Sequence, residues 1–402
     1  MASISRKTIH LNHAVVRIAL ATALFVTSMA MYAPVLAVLL QQRGHGTLAV
    51  GVFAMIGFAC VAVLIPFLPT IVARFGEVRV FQVGSVLWFV SGLGYALFDD
   101  LAVWSVFSVL GGVGGAAVWN ATESLIARHS PPDRRGRITG LYQTLLGAAL
   151  ALGPFVPAVF QISGRQTLIA VCGVQALALA MVARLPALPA AHARGLALGP
   201  GATGTTSPAV AAMSTWHALC KVPALAGLAF AGGVFESGLS SISAANGASM
   251  GMTVAAAASI VGALGAGSFL FQYPAGMAAD HLLPSRVFGA AGLLLLASSV
   301  LLLWAGSSPW LLWACAFVWG GVGGALYTLT MIRVAHQFLG QDTAAGTAAM
   351  IAGYTLGGAV GPVVGGAALQ TFREPGLAVW LGLLSLLVMA LARQFRPSKI
   401  RP

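Results

Sequence analysis

The sequence predicts an all-α membrane protein, with twelve transmembrane helices in two pseudo-symmetric six-helix bundles. Three observations predict it. Charged residues are 7% and hydrophobic residues 58% of 402 residues, whereas an ordinary soluble domain is about 25% charged. So few charges cannot cover a soluble protein of this size, and most of the surface must face lipid. The chain also breaks, at charged and Pro/Gly-rich points, into twelve apolar runs of the roughly 20 residues that a spanning helix requires. Finally, the string Gly-Gly-Val-Gly-Gly-Ala occurs at Gly111–Ala116 and again at Gly320–Ala325. Two further pairs recur at nearly the same spacing: Pro69–Arg79 with Gly276–Arg286, and Gly153-Pro154 with Gly361-Pro362. Three matches in one order mark a duplicated half.

The spans are placed near 15–40, 49–73, 80–98, 101–127, 136–160 and 165–184 in the first half. In the second they are placed near 221–244, 250–279, 286–305, 309–335, 343–369 and 376–393. The first run follows Arg6, Lys7 and Arg17 but is too long for a signal peptide, and eleven more follow it, so it is the first span. Between the halves, 185–220 holds Pro186, Pro189, Pro200 and Pro208 and a Gly/Thr/Ser-rich stretch. Such a segment buries too little apolar surface to order itself and is expected to be a flexible cytoplasmic linker. The expected division is therefore 1–184, an N-terminal bundle; 185–220, the linker; and 221–402, a C-terminal bundle. An even number of spans per half gives both halves one orientation.

The net charge of +12 is distributed unevenly. With both termini placed in the cytoplasm, every Lys and Arg falls on that side except Arg43, Arg165 and Arg373, and Arg333 at the end of a span. This is the positive-inside pattern, so the basic surplus is assigned to anionic lipid head groups of the bilayer and no nucleic-acid partner is expected. Cys60, Cys172, Cys220 and Cys315 are scattered among apolar neighbours, with no CxxC spacing, and are read as small buried hydrophobes. No phosphate-binding Gly-x-x-x-x-Gly-Lys-Ser/Thr and no His-Glu-x-x-His is present. No cofactor, metal or enzymatic site is expected. Asp99-Asp100 is read as a short turn between the third and fourth spans.

Loop and helix motifs then carry a resemblance to the major facilitator superfamily over nearly the full chain. In that family the turn after the second helix reads Gly-x-x-x-Asp-Arg-x-Gly-Arg and recurs after the eighth. The second copy here is Gly276, Asp280, His281 and Arg286, with Leu283 where the family has glycine. The first copy keeps Arg74, Gly76 and Arg79, but Pro69 and Ala73 replace the glycine and the acid. The resemblance implies that the acidic residue clasps helix ends in the outward-open state, a role left to Asp280. Gly-x-x-x-Gly-Pro-x-x-Gly-Gly marks the fifth helix of many exporters. It is complete here as Gly357, Gly361, Pro362, Gly365 and Gly366, but in the eleventh span. The fifth keeps only Gly153-Pro154, with Pro157 in place of a glycine. The turn Arg134-Arg135-Gly136-Arg137 resembles the basic turn before the family's fifth helix. Glycines at such spacing let helices approach closely, and an internal proline makes a bend point.

Ionisable groups within spans are the sharper pointers, because each is costly in lipid unless paired or solvated. Glu236 lies well inside the seventh span, with Ser240 at i+4 and Ser243 at i+7 on one face. It is the first candidate for a proton or substrate site; the plainer alternative is a glutamic acid that only bonds neighbouring helices. Glu123 in the fourth span has Trp119 and Asn120 on the same side, and its rival reading is a helix-end pair with Arg128. Arg333 is a candidate for an anionic substrate or a glutamate partner, or a side chain snorkelling to the head groups. Tyr32, Tyr142, Gln143 and Tyr327 are candidate cavity-lining residues or interhelical packing.

The resemblance implies a secondary active transporter of a small-molecule substrate working by alternating access, with a proton gradient as energy source. Export of an amphipathic compound is favoured over nutrient uptake. A dicarboxylate carrier calls for at least two buried basic groups, and only Arg333 is available. A membrane sensor without flux is the reading from another class. The expected setting is a bacterial-type inner membrane, multi-pass, with both termini cytoplasmic and a monomeric chain.

Overall fold

The apolar runs fold as helices in a computed structural model that describes residues 13–65, 67–129, 135–185, 215–338 and 342–395. The first half holds α1 (His13–Gln42), α2 (Thr47–Leu64), α3 (Leu68–Phe75), α4 (Glu77–Leu97), α5 (Leu101–His129), α6 (Arg135–Leu152), α7 (Val156–Val159) and α8 (Gly164–Ala183). The second holds α9 (Thr215–Lys221), α10 (Pro223–Gly233), α11 (Leu239–Ser249), α12 (Val254–His281), α13 (Pro284–Leu301), α14 (Leu311–Gln337) and α15 (Asp342–Ala392). Among the described residues eleven helical stretches are long and apolar enough to cross a membrane. The last is two spans in one, because α15 runs through a kink at Arg373 (φ 54°, ψ −148°). Twelve spans result, as the sequence predicts.

Several boundaries move, each for a local reason. The second span stops at Leu64, and a separate short helix, α3, starts with Pro69 in its first turn, where a missing N–H costs nothing. Gly76 then reverses the chain with φ 85°, a left-handed conformation natural to glycine. The fifth span tightens into a 3-10 turn at Gly153–Phe155, where Pro154 interrupts the ladder. Linker residues 186–214 lie outside the described residues. The end of the expected linker is helical, however: α9 covers Thr215–Lys221 and buries Ala218. Cys315 is buried, but Cys220 is exposed rather than buried as expected. Arg134 lies outside the described residues, and Arg135–Arg137 open α6.

The halves meet towards the end that carries Gly46, Asp99, Gly251 and Arg373. There α2 crosses α15, so closely that a Cβ on Gly51 would strike the Pro362 carbonyl and one on Gly366 the Thr47 carbonyl. The Thr47 hydroxyl donates to the Gly366 carbonyl at 2.7 Å, and the Leu48 amide donates to Gln370 Oε1 at 3.0 Å. Phe155 fills the notch at Gly262, and Ala151 lies against Gly265. Within the first half, Asp99 ties two helix ends together by binding both Arg43 and Arg165, the latter at 2.9 Å. Arg43 also stacks over Trp104 at 4.5 Å. The Asp99-Asp100 turn is thus a structural tie, with Asp100 capping the Val103 amide.

Candidate functional site

Around Glu236 the seventh span is not a plain α-helix. Val234–Gly238 forms a π-turn between α10 and α11. Gly232 and Gly233 precede it and Gly238 ends it, and residues of such low helix propensity let the turn widen. The wider turn places Glu236 against two other helices. Its Oε1 accepts a 2.5 Å hydrogen bond from the Ser268 hydroxyl of α12, and its Oε2 accepts one at 2.9 Å from the Tyr354 hydroxyl of α15. Tyr354 and Ser237 also share a hydrogen bond of 2.5 Å. The tyrosine ring lies 4.7 Å from that of Tyr327 on α14.

The repeated glycine string explains how the helices come so near. A Cβ on Gly323 would stand 2.8 Å from the Glu236 amide nitrogen. One on Gly324 would stand 2.9 Å from Glu236 Oε1, 2.8 Å from Ser268 Oγ and 3.0 Å from Gln272 Nε2. Gln272 in turn accepts a hydrogen bond from Thr328. Gly357 and Gly361 of the glycine–proline motif pack on the other side of the π-turn, against Val234 and Gly238. The motif therefore holds the bulged helix, while Pro362 and Gly366 touch the opposite half.

Glu236 thus gains Ser237, Ser268, Gln272, Thr328 and Tyr354 as neighbours, none of which the sequence reading singled out. Ser268 and Gln272 were legible as a polar pair at i, i+4 in an apolar run. Tyr354 had no comparable signal. Ser240 does not share the cluster; its hydroxyl bonds its own helix at Ser237 O, at 2.9 Å. Ser243 is buried, without a hydrogen-bond partner for its hydroxyl.

Glu123 lies on α5, in the first half. It is exposed, and its Oε1 accepts from the Trp119 indole at 3.2 Å. Among the described residues no basic side chain forms an ion pair with Glu123. Asn120 is half-buried one turn back. Tyr142 is buried with its hydroxyl unpartnered, whereas Gln143 is exposed. Arg333 is half-buried, and its Nε has no partner. Tyr32 packs on Tyr95 at 5.3 Å and accepts from the Trp88 indole, which is the interhelical role.

The loop-motif residues lie at the end away from the seam. Arg74, Arg79, Asp280 and Arg286 are exposed there, and Asp280 forms no ion pair among the described residues. Gly276 has open space around it, while Gly153 packs on Thr27 and Ala30 of α1. A cavity of 370 Å³ beside α2 and α15 is lined by Gly46, Leu48, Phe53 and Gln370, among others; no candidate ionisable group lines it.

Two six-span halves, closed at one end and enclosing a hydroxyl-bound carboxyl, define a multi-pass membrane carrier. The Major Facilitator Superfamily model matches residues 18–268 and 225–401, and the chain belongs to that family. The uncharacterized MFS-type transporter YfkF of Bacillus subtilis is 23% identical over 376 residues, 89% of this chain and 91% of that protein. The multidrug export protein EmrB of Haemophilus influenzae is 30% identical over 95 residues, only 24% of this chain and 19% of that one. Among solved structures, the nucleoside transporter NupG superposes with a TM-score of 0.74 at 11% identity, covering 96% of this chain and all of that one. The D-xylose-proton symporter gives 0.72 at 15% identity, covering 95% and 97%. The protein is a secondary transporter of twelve spans.

Proposed function

We propose that the chain is a proton-coupled exporter of a small amphipathic compound and that Glu236 is the proton carrier. The observation that carries this is the hydrogen-bonding of Glu236: both carboxyl oxygens are met by hydroxyls, from Ser268 and Tyr354. A hydroxyl is both donor and acceptor. Ser268 and Tyr354 therefore satisfy the ionised carboxylate by donating, and after proton uptake either can turn to accept. Each change of protonation redirects bonds between the seventh, eighth and eleventh spans, which is how a proton is coupled to helix movement.

The basic-residue asymmetry supports both termini lying in the cytoplasm of a bacterial-type inner membrane. On that assignment the seam formed by α2 and α15 is periplasmic, the conformation is open to the cytoplasm, and residues 1–184 and 221–402 rock as the two bodies. Export is supported by the glycine–proline motif and by the short similarity to a multidrug export protein.

The test is untargeted small-molecule profiling inside and outside cells expressing wild type or Glu236→Gln, with and without an uncoupler. Compounds depleted from cells only by the energised wild type are expected, with uphill movement lost in Glu236→Gln. Full, uncoupler-sensitive redistribution by that variant would remove Glu236 as carrier.

A further inference from the structure

The cavity beside α2 and α15 is a slot with a direction. Ala49, Val52, Phe53 and Ile56 line it from α2, at the i, i+3, i+4 and i+7 spacing of one helix face. At 1.5 Å per residue that face runs for about 10 Å along the span. Leu101 and Ser105, one turn apart, line it from α5. Both helices start at the seam end, so the slot leads from that end into the depth of the membrane. Its head is marked by Gly46 and by Gln370 of α15, whose side chain lies against Gly46.

The open side of the slot faces hydrocarbon. Leu48 and Val52 are 37% and 42% exposed, and Val106, beside Ser105 on α5, is 63% exposed. Apolar side chains exposed on a membrane span meet lipid chains. In the depth of the slot the Ser105 hydroxyl already donates to the Leu101 carbonyl at 2.8 Å, so no side-chain donor there calls for a partner. The head differs. Gln370 Oε1 takes the Leu48 amide at 3.0 Å, and among the described residues nothing accepts from its amide nitrogen. The volume, 370 Å³, falls within the roughly 300–1,000 Å³ of small-ligand sites. An apolar slot along two spans, with one spare donor at the membrane surface, has the shape and polarity of a lipid tail below its ester group.

We infer that the slot binds one acyl chain of a membrane phospholipid, with the ester carbonyl at its head accepting from the Gln370 amide. The site is shared between the halves. α2 and α5 belong to the first, and Gln370 reaches the slot from the second through the crossing of α2 with α15. A ligand that binds one orientation better than the other shifts the balance towards it. The bound chain is thus a clasp on the closed seam, and bilayer lipid enters the transport cycle without touching Glu236. This goes beyond the export reading and does not depend on the proton assignment.

The test uses the full-length protein in phosphatidylcholine nanodiscs, doped with the same lipid carrying a diazirine in the upper part of one acyl chain. After photolysis, adducts mapped by mass spectrometry are expected on 49–56 and 101–105. They should exceed at least fivefold those on Ile169 and Leu177, exposed apolar residues of α8. Ala49→Phe fills the slot from α2 and is expected to cut these adducts at least fivefold. Ser105→Leu fills it from α5 and serves if the first variant does not fold. The clasp is read with spin labels on cysteines at the exposed positions 97 and 307, one in each half at the seam end, in a background lacking the native cysteines. Adding phosphatidylcholine to protein in a sterol-based detergent is expected to raise the short-distance population with the slot open and to leave it unchanged in Ala49→Phe. Adducts spread evenly over the exposed spans, or undiminished by both fillings, overturn the site. An equal response of the open and filled proteins to lipid overturns the clasp. A dimer by light scattering whose slot takes no label puts a second copy of the chain on this face and overturns the lipid.

Discussion

Tyr354 and Gly324 act on Glu236 from opposite sides and by opposite means. The tyrosine supplies a hydrogen bond that the carboxyl needs; the glycine withholds a side chain that it has no room for. Hydrogen bonds between membrane helices contribute on average about 0.6 kcal/mol and at most about 1.7, so Tyr354→Phe should leave the fold intact. Its expected effect is on coupling: in proteoliposomes, substrate counterflow persists while pH-gradient-driven accumulation falls at least fivefold. Accumulation at the wild-type level would show that the Ser268 bond alone serves the proton site. Gly324→Ala places a methyl group among Glu236, Ser268 and Gln272, and overpacking of this kind costs about 1–3 kcal/mol. A lowered thermal midpoint with impaired transport is expected, whereas Gly289→Ala, at a position with open space around it, should change neither.

At the scale of the helices, the apolar runs announce themselves because lipid demands about 20 uncharged residues and no particular periodicity. That is why twelve spans and their order were readable, along with Glu236 and Glu123 as costly charges. The π-turn was not readable. Glycines at 232, 233 and 238 weaken the helix there without specifying a wider turn. Without it, Ser240 and Ser243 looked like Glu236's companions, and Tyr354 on a distant span did not. The 3-10 turn at Gly153–Phe155 was nearer to legibility, since Pro154 stands in it. Removal of one residue from the bulge, as in deletion of Ser237, is expected to restore a regular helix and rotate Glu236 away from Tyr354. Transport should then be lost with the protein still inserted, as judged by expression and size-exclusion behaviour; retained proton-driven transport would show the bulge to be incidental.

The whole molecule alternates only if the seam between α2 and α15 opens. Gln370 reaches across to Gly46 and Leu48, so a cysteine at each of positions 46 and 370 can be joined by a short thiol cross-linker in a background lacking the four native cysteines. Cross-linking is expected to abolish transport and reduction to restore it. Undiminished transport by the cross-linked protein would rule out separation of the halves at this place. The α2–α15 contact is made of glycines, carbonyls, the Thr47 hydroxyl and one glutamine, whereas Arg43, Asp99 and Arg165 pair within one half. At the other end the loop-motif residues Arg74, Arg79, Asp280 and Arg286 are exposed. The contacts across the seam are thus uncharged, whereas the exposed loop-motif groups at the other end are mostly basic. Salt at physiological strength screens exposed charges more than roughly 8–10 Å apart and leaves backbone contacts untouched. Ionic strength should accordingly tilt the resting balance between the two orientations without any ligand, favouring the one in which the mostly basic end draws together.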